Sequence, residues 1–146
     1  MRLTTFTDYC LRTLIYVALK RDELATIDEI AEHYAINRNH LVKVVFRLGR
    51  LGYLDTLRGK GGGIRLAKDP AKISLGTLVR ETEDDLALVE CFRGRDSLCV
   101  IEPACVLRSA LQQALRAFLQ ALDGYTIADL VTPSRRLARL LALPHT

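Results

Sequence analysis

Thr26-Ile27-Asp28-Glu29-Ile30-Ala31-Glu32-His33-Tyr34, a break at Ala35-Ile36-Asn37, and then Arg38-Asn39-His40-Leu41-Val42-Lys43-Val44-Val45-Phe46-Arg47-Leu48-Gly49-Arg50 form the stretch that decides the fold. Thr26 and Glu29 have the spacing of a capping box, in which each side chain satisfies the other's backbone amide. Ile27, Ile30, Ala31 and Tyr34 then supply the apolar side of a short helix. Asn37 is a good N-cap for the next helix. In that helix Leu41, Val44, Val45, Leu48 and Leu51 recur at helical spacing. Asn39, Lys43 and Arg50 fall opposite this stripe, with Arg38, His40 and Arg47 on its flanks. Two short helices around a three-residue break, the second presenting cations and an amide, predict a helix-turn-helix.

Downstream of this stretch, Tyr53-Leu54-Asp55-Thr56-Leu57 alternates like a strand, and Ile64-Arg65-Leu66 reads as a second. Between them lies Arg58-Gly59-Lys60-Gly61-Gly62-Gly63, a glycine-rich hairpin with two cations. Its place directly after the helix-turn-helix makes it a wing. No Gly-Lys-Ser/Thr follows, which excludes a phosphate-binding P-loop. Upstream, Cys10, Leu14, Val17 and Ala18 share one stripe of a helix expected over residues 7–20. Charge agrees with a DNA-binding surface. The net charge is only +4, yet Ala35 to Lys68 carries eight bases against the single acid Asp55. Glu81 to Glu102 reverses the balance, with seven acids, Asp96 among them, against Arg93 and Arg95.

Beyond the wing, Leu75, Leu78 and Val79 mark a short helix, and Pro103 opens a long one to about Leu122, with Gly124 as its stop. Leu107, Leu111, Ala114, Phe118 and Ala121 form one apolar face of the long helix. Val106, Ala110, Leu115, Leu119 and Leu122 form another. In so small a chain a helix apolar on two sides needs two surfaces, its own domain and a second copy of itself. The expected architecture is mainly α with a small β-wing. A winged helix-turn-helix domain occupies residues 1–80 and an acidic cysteine-bearing loop residues 81–102. A dimerisation helix with a short capping helix follows over 103–131, then a flexible tail over 132–146. No apolar run approaches the roughly 20 residues that span a membrane. The N-terminus shows no signal-peptide pattern, so a reducing cytoplasm is expected. No nucleophile–base pair or catalytic motif appears, and a binding protein is expected rather than an enzyme.

Cys91, Cys99 and Cys105 stand in a Cys-x7-Cys-x5-Cys array. A reducing compartment argues against disulfides, and three thiols so close favour a metal. Zinc modules usually show paired Cys-x2–4-Cys knuckles, and none occurs here. His33 and His40 lie in the helix-turn-helix and His145 is the penultimate residue, so no histidine is local. Thiolates spread over an acidic loop suit an iron–sulfur cluster, whose irons each take a separate ligand. Structural zinc and redox thiols stay open on spacing alone.

Several segments together resemble a known family. They are Met1-Arg2-Leu3-Thr4, Asn39 to Tyr53, the wing Arg58 to Gly63, and the three cysteines. Over residues 1–131 they resemble the iron–sulfur repressors that include the nitric-oxide sensor NsrR and the cluster-assembly regulator IscR. The resemblance implies a homodimeric winged-helix repressor with one cluster per subunit. IscR-like members use a histidine three residues after the third cysteine, where this chain has Arg108, which cannot ligate. NsrR-like members can use an N-terminal aspartate of the other subunit, and Asp8 occupies that place. Cys10 competes as a thiolate, but its stripe marks it as a core residue; water or a small molecule is the remaining choice. Asp8 without a ligating histidine favours 4Fe–4S over 2Fe–2S. The expected function is nitric-oxide-responsive repression. The alternatives are an IscR-type sensor of cluster supply or redox state, and a DNA-binding protein with structural zinc. Asn39, His40 and Lys43 are the candidates for base edges in the major groove. Arg47, Arg58, Lys60 and Arg65 are the candidates for phosphates, on a palindromic double-stranded operator.

Overall fold

The structure is a computed structural model that describes residues 2–94 and 98–143. Met1 of the opening motif, Arg95 and Asp96 of the acidic loop, and His145 lie outside the described residues. The elements run α1 (Thr5–Lys20), α2 (Ile27–Tyr34), α3 (Arg38–Arg50), β1 (Leu54–Leu57), β2 (Gly63–Leu66), α4 (Leu75–Thr82), α5 (Val106–Asp123), α6 (Ile127–Leu130) and α7 (Ser134–Leu140). The architecture is mainly helical with one two-stranded antiparallel sheet, as the periodicities predict.

The helix-turn-helix forms for the reasons legible in its residues. Thr26 and Glu29 complete the capping box at the start of α2. Ala35 ends α2 in the left-handed region at φ 52°, and the Ile36 amide donates to the Ala31 carbonyl at 3.0 Å. The Asn37 side chain then accepts from the Asn39 amide and opens α3. Leu41, Val44, Val45 and Leu48 are buried on one side of α3. They join Cys10, Leu14 and Val17 of α1 and Ile30 of α2 in the core. Fully burying an aliphatic side chain contributes roughly 1.5–3 kcal/mol, so this shared core fixes α3 on its scaffold.

In the wing, β1 pairs with β2 from Leu54↔Leu66 to Leu57↔Gly63. A bridge from Ile64 to Ala25 anchors β2 to the segment before α2. The tip needs its glycines. Gly59 has φ +95°, and a Cβ at Gly62 would fall 2.2 Å from the Leu57 carbonyl oxygen.

The C-terminal half departs from expectation twice. Residues 102–104 form a 3-10 turn, and α5 starts after it, with the Cys105 sulfur accepting from the Arg108 amide at 3.4 Å. Pro103 therefore sits in the turn before the helix instead of opening it. Residues 134–140, expected as a flexible tail, form α7, and Leu141 and Leu143 are buried in the core. The physical reason is apolar content: Leu141 and Leu143 offer burial that the preceding Arg135, Arg136 and Arg139 hide from a reading of charge. The chain also turns back after α5. The Ile127 amide donates to the Ile73 carbonyl at 3.0 Å, both side chains fully buried, so α6 packs on the N-terminal domain beside α1.

Candidate nucleic-acid interface and cysteine loop

Asn39, His40, Lys43, Arg47 and Arg50 are all exposed on α3. Arg38 is exposed as well but pairs with Asp28 at 2.6 Å. The His40 ring lies 6.1 Å from that of Tyr9. Arg58 and Lys60 are exposed at the wing tip, while Arg65 faces Asp55 across the hairpin at 3.6 Å. One of the expected phosphate contacts thus has a neighbour that partly neutralises it. The result is a cationic helix beside a cationic hairpin, the two features of a winged duplex reader.

Arg47 does something its position in the sequence does not announce. Its Nη2 donates to the Glu81 carbonyl at 2.9 Å, across from α3 to the last turn of α4. The Tyr53 hydroxyl, at the root of the wing, donates to the Glu81 carboxylate. Burial, followed by that hydrogen bond, pushes the Tyr53 phenol well above its ordinary range. The next two residues bind α1. The Thr7 hydroxyl donates to Thr82 Oγ1 at 3.0 Å, and the Thr4 amide donates to Glu83 Oε1 at 2.7 Å. Residues 81–83 therefore tie the recognition helix, the wing root and the start of α1 together where the acidic loop begins. These pairs lie 34, 28, 75 and 79 residues apart, and no local pattern signals them.

The cysteines are not gathered. Cys91 is buried in a 3-10 turn over Glu90–Phe92, Cys99 is exposed, and Cys105 is half-buried before α5. Among the described residues no group of three or more His, Cys, Asp or Glu side chains converges as a metal site. Asp8 lies in the first turn of α1, 43% exposed, and pairs with Arg12 at 2.9 Å. Cys10 is fully buried, and burial pushes its thiol up to about 12 despite nearby Arg47. Cys10 thus occupies the place in the core that its stripe predicts for a small apolar residue. Arg108 Nη2 approaches Glu102 at 3.6 Å, and the guanidinium offers no lone pair to a metal.

A family model described as an iron-dependent transcriptional regulator matches residues 3–133. The chain belongs to the Rrf2 family. Among curated Rrf2-type relatives it is 52% identical to the HTH-type transcriptional regulator NsrR of Bacillus subtilis, over 98% of this chain and 99% of that one. It is 51% identical to NsrR of Geobacillus kaustophilus, over 97% of each chain. The structure resembles the global cysteine regulator CymR of B. subtilis, with a TM-score of 0.74 and 26% identity. That match covers 90% of this chain and 97% of CymR. It shares its fold with IscR of T. potens, with a TM-score of 0.74 and 21% identity over 92% of this chain and 88% of that one. It is a DNA-binding transcriptional regulator of the NsrR and Rrf2 type. The relatives and the family model alike carry the name of transcriptional regulators, not of enzymes.

The site holds two residues that a reading of helix polarity passes over. Phe46 and Val42 lie on the exposed side of α3, off the buried stripe. Phe46 comes three residues after Lys43 and four before Arg50, so helical spacing placed it on the cationic face. Its apolar character masked that signal.

Proposed function

We propose that this Rrf2 regulator is a homodimeric, nitric-oxide-responsive repressor holding an iron–sulfur cluster, 4Fe–4S in preference to 2Fe–2S, on Cys91, Cys99, Cys105 and the partner's Asp8. The donor chemistry fits such a group: three thiols in one loop, an accessible carboxylate on α1, and an arginine where a histidine would be needed for the IscR pattern. Cys105 stands at the N-terminus of an 18-residue helix, its sulfur accepting from the Arg108 amide at 3.4 Å. When bound, such a cluster would supply iron open to nitric oxide.

The remainder of the mechanism belongs to the chain. Asn39, His40 and Lys43 meet base edges in the major groove, while Arg58 and Lys60 hold phosphates. Arg65 adds to these in spite of Asp55. Arg47 sets the pitch of α3 against Glu81 and offers its remaining N–H groups to the backbone. A palindromic operator matches the two-fold symmetry of the dimer. The observation that carries the sensing half is the tie at residues 81–83. Any change in the order of the cysteine loop pulls on Glu81, Thr82 and Glu83, and through them on α3, the wing root and α1. A coupling of about 1–3 kcal/mol, typical of allosteric linkage, changes DNA affinity about 5–150-fold.

The test starts with anaerobic purification and iron and sulfide analysis. The wild type and Cys10→Ala should be brown, and Cys91→Ala, Cys99→Ala and Cys105→Ala colourless but folded. Nitric oxide titrated into the wild type on operator DNA should release the DNA as the cluster absorbance is lost. Colourless wild type with one zinc per chain favours the structural-zinc reading. DNA binding that survives full reaction with nitric oxide favours a sensor of cluster supply.

A further inference from the structure

Phe46 is 67% exposed in the middle of the recognition helix, and Val42, one turn earlier, is 39% exposed. The core does not require them. Leu41, Val44 and Leu48 are fully buried on the other side of α3 and complete its packing. Among the described residues Phe46 has one ring partner, the Arg50 guanidinium at 5.9 Å from its centroid. Asn39, Lys43 and Arg50 lie beside the pair on the same exposed face of the helix. An apolar spot beside cations and an amide fits an occupant that is anionic overall and carries isolated methyl groups. The major groove of duplex DNA is such a surface, because each thymine presents its C5-methyl there beside the hydrogen-bonding edges. A second copy of this face would bring like charges together. A lipid surface would call for a wider apolar face than two side chains supply.

We propose that Phe46, assisted by Val42, is a specificity-determining residue that reads thymine methyl groups in the operator. The stacked Arg50 holds the ring across the helix and is itself directed at the DNA backbone. The proposal rests on α3 being the DNA reader and adds a base preference that hydrogen bonding alone does not provide.

Operators selected by the wild-type protein from a random duplex library supply the probe. Each thymine is then replaced by deoxyuridine, symmetrically in both half-sites, which removes the methyl and leaves every hydrogen-bonding group. Burial of one methyl-sized group is worth about fourfold in Kd, equivalent to ~0.8 kcal/mol. At one thymine position or more, the wild type should lose about fourfold for each half-site substituted, read by fluorescence anisotropy. Phe46→Ala should bring the thymine-to-uracil ratio at that position to about one, Phe46→Leu should keep part of it, and Asn39→Ala should leave it unchanged. Equal discrimination by Phe46→Ala and wild type overturns the proposal, as does a wild type indifferent to uracil at every position. A Phe46→Ala protein with altered sedimentation and undiminished methyl discrimination assigns the ring to a protein contact instead. Failure to select any sequence defeats the DNA reading of α3 itself, which distinguishes the loss of the foundation from the loss of this inference.

Discussion

Cys10 sits beneath the recognition helix, fully buried, with a thiol that burial pushes up to about 12 from an ordinary 9.0. Tyr16 and Tyr34 behave alike: burial first, aided by neighbouring acids, moves Tyr16 up to about 12 from 10.0, and burial moves Tyr34 to about 12 against the pull of Arg12. The folded chain therefore holds these protons more tightly than the unfolded chain does. Their stabilising effect is complete below the ordinary values of 9.0 and 10.0 and is lost as pH rises towards about 12. The thermal midpoint should be flat up to about pH 9 and then fall, each group adding up to about 1.4 kcal/mol per pH unit. Cys10→Ala should cost about 1 kcal/mol at neutral pH through the small cavity it leaves, and should soften the onset between pH 9 and 10. A midpoint unchanged through pH 11 contradicts this account. At this scale the sequence was half legible. The stripe of α1 marks Cys10 as a core residue, because burial follows periodicity. Nothing local predicts that Arg47 is engaged by a carbonyl on α4, because tertiary packing alone brings them together.

Among the elements, α4 and α5 meet closely, and two glycines test why. Arg80 holds Asp123 in a two-pronged pair at 2.6 and 2.8 Å. A Cβ on Gly76 would fall 2.0 Å from Asp123 Oδ1 and 2.9 Å from the Asp123 backbone nitrogen. Gly76→Ala should therefore destabilise by about 1–3 kcal/mol, the usual cost of overpacking, and loosen the base of α5. Gly49 near the end of α3 is different. Its nearest neighbour would be the Leu54 carbonyl at 3.7 Å, an ordinary contact. Gly49→Ala should be neutral or gain about 0.5 kcal/mol from helix propensity. Denaturant unfolding of the two variants should give opposite signs; equal losses mean that α4 and α5 do not pack this closely. The capping box of α2, the wing and the α3 stripe were readable because each rests on residues within a few positions of one another. The start of α5 was not, because Pro103 suits a 3-10 turn as well as a first helical turn, and the Cys105 sulfur then serves as the cap. Helix α7 was missed because Leu141 and Leu143, just beyond it, gain only by reaching a core laid down by the N-terminal domain.

At the scale of the whole molecule, α5 carries no fully buried residue although it is the longest helix described. Val106 and Leu107 are 81% and 62% exposed at its start, next to Cys105. Its inner face, including Leu115, Phe118 and Leu122, is half-buried, and Leu122 packs against the core. Leu107, Ala110 and Ala114 are exposed, and the proposed homodimer would use this stripe for the second copy. Ala114 is exposed, so Ala114→Arg adds no clash within one chain. That variant should keep the wild-type circular dichroism yet sediment as a monomer. Two recognition helices on one dimer act at high effective concentration, and their separation should weaken operator binding by about 10²–10⁴-fold. The variant should also lose any cluster held across the interface faster than wild type, while its three cysteines remain. An Ala114→Arg protein that stays dimeric and binds DNA normally places the two-fold axis elsewhere. It also leaves Asp8, paired with Arg12 at 2.9 Å, as a surface ion pair of a single chain with no part in the cluster.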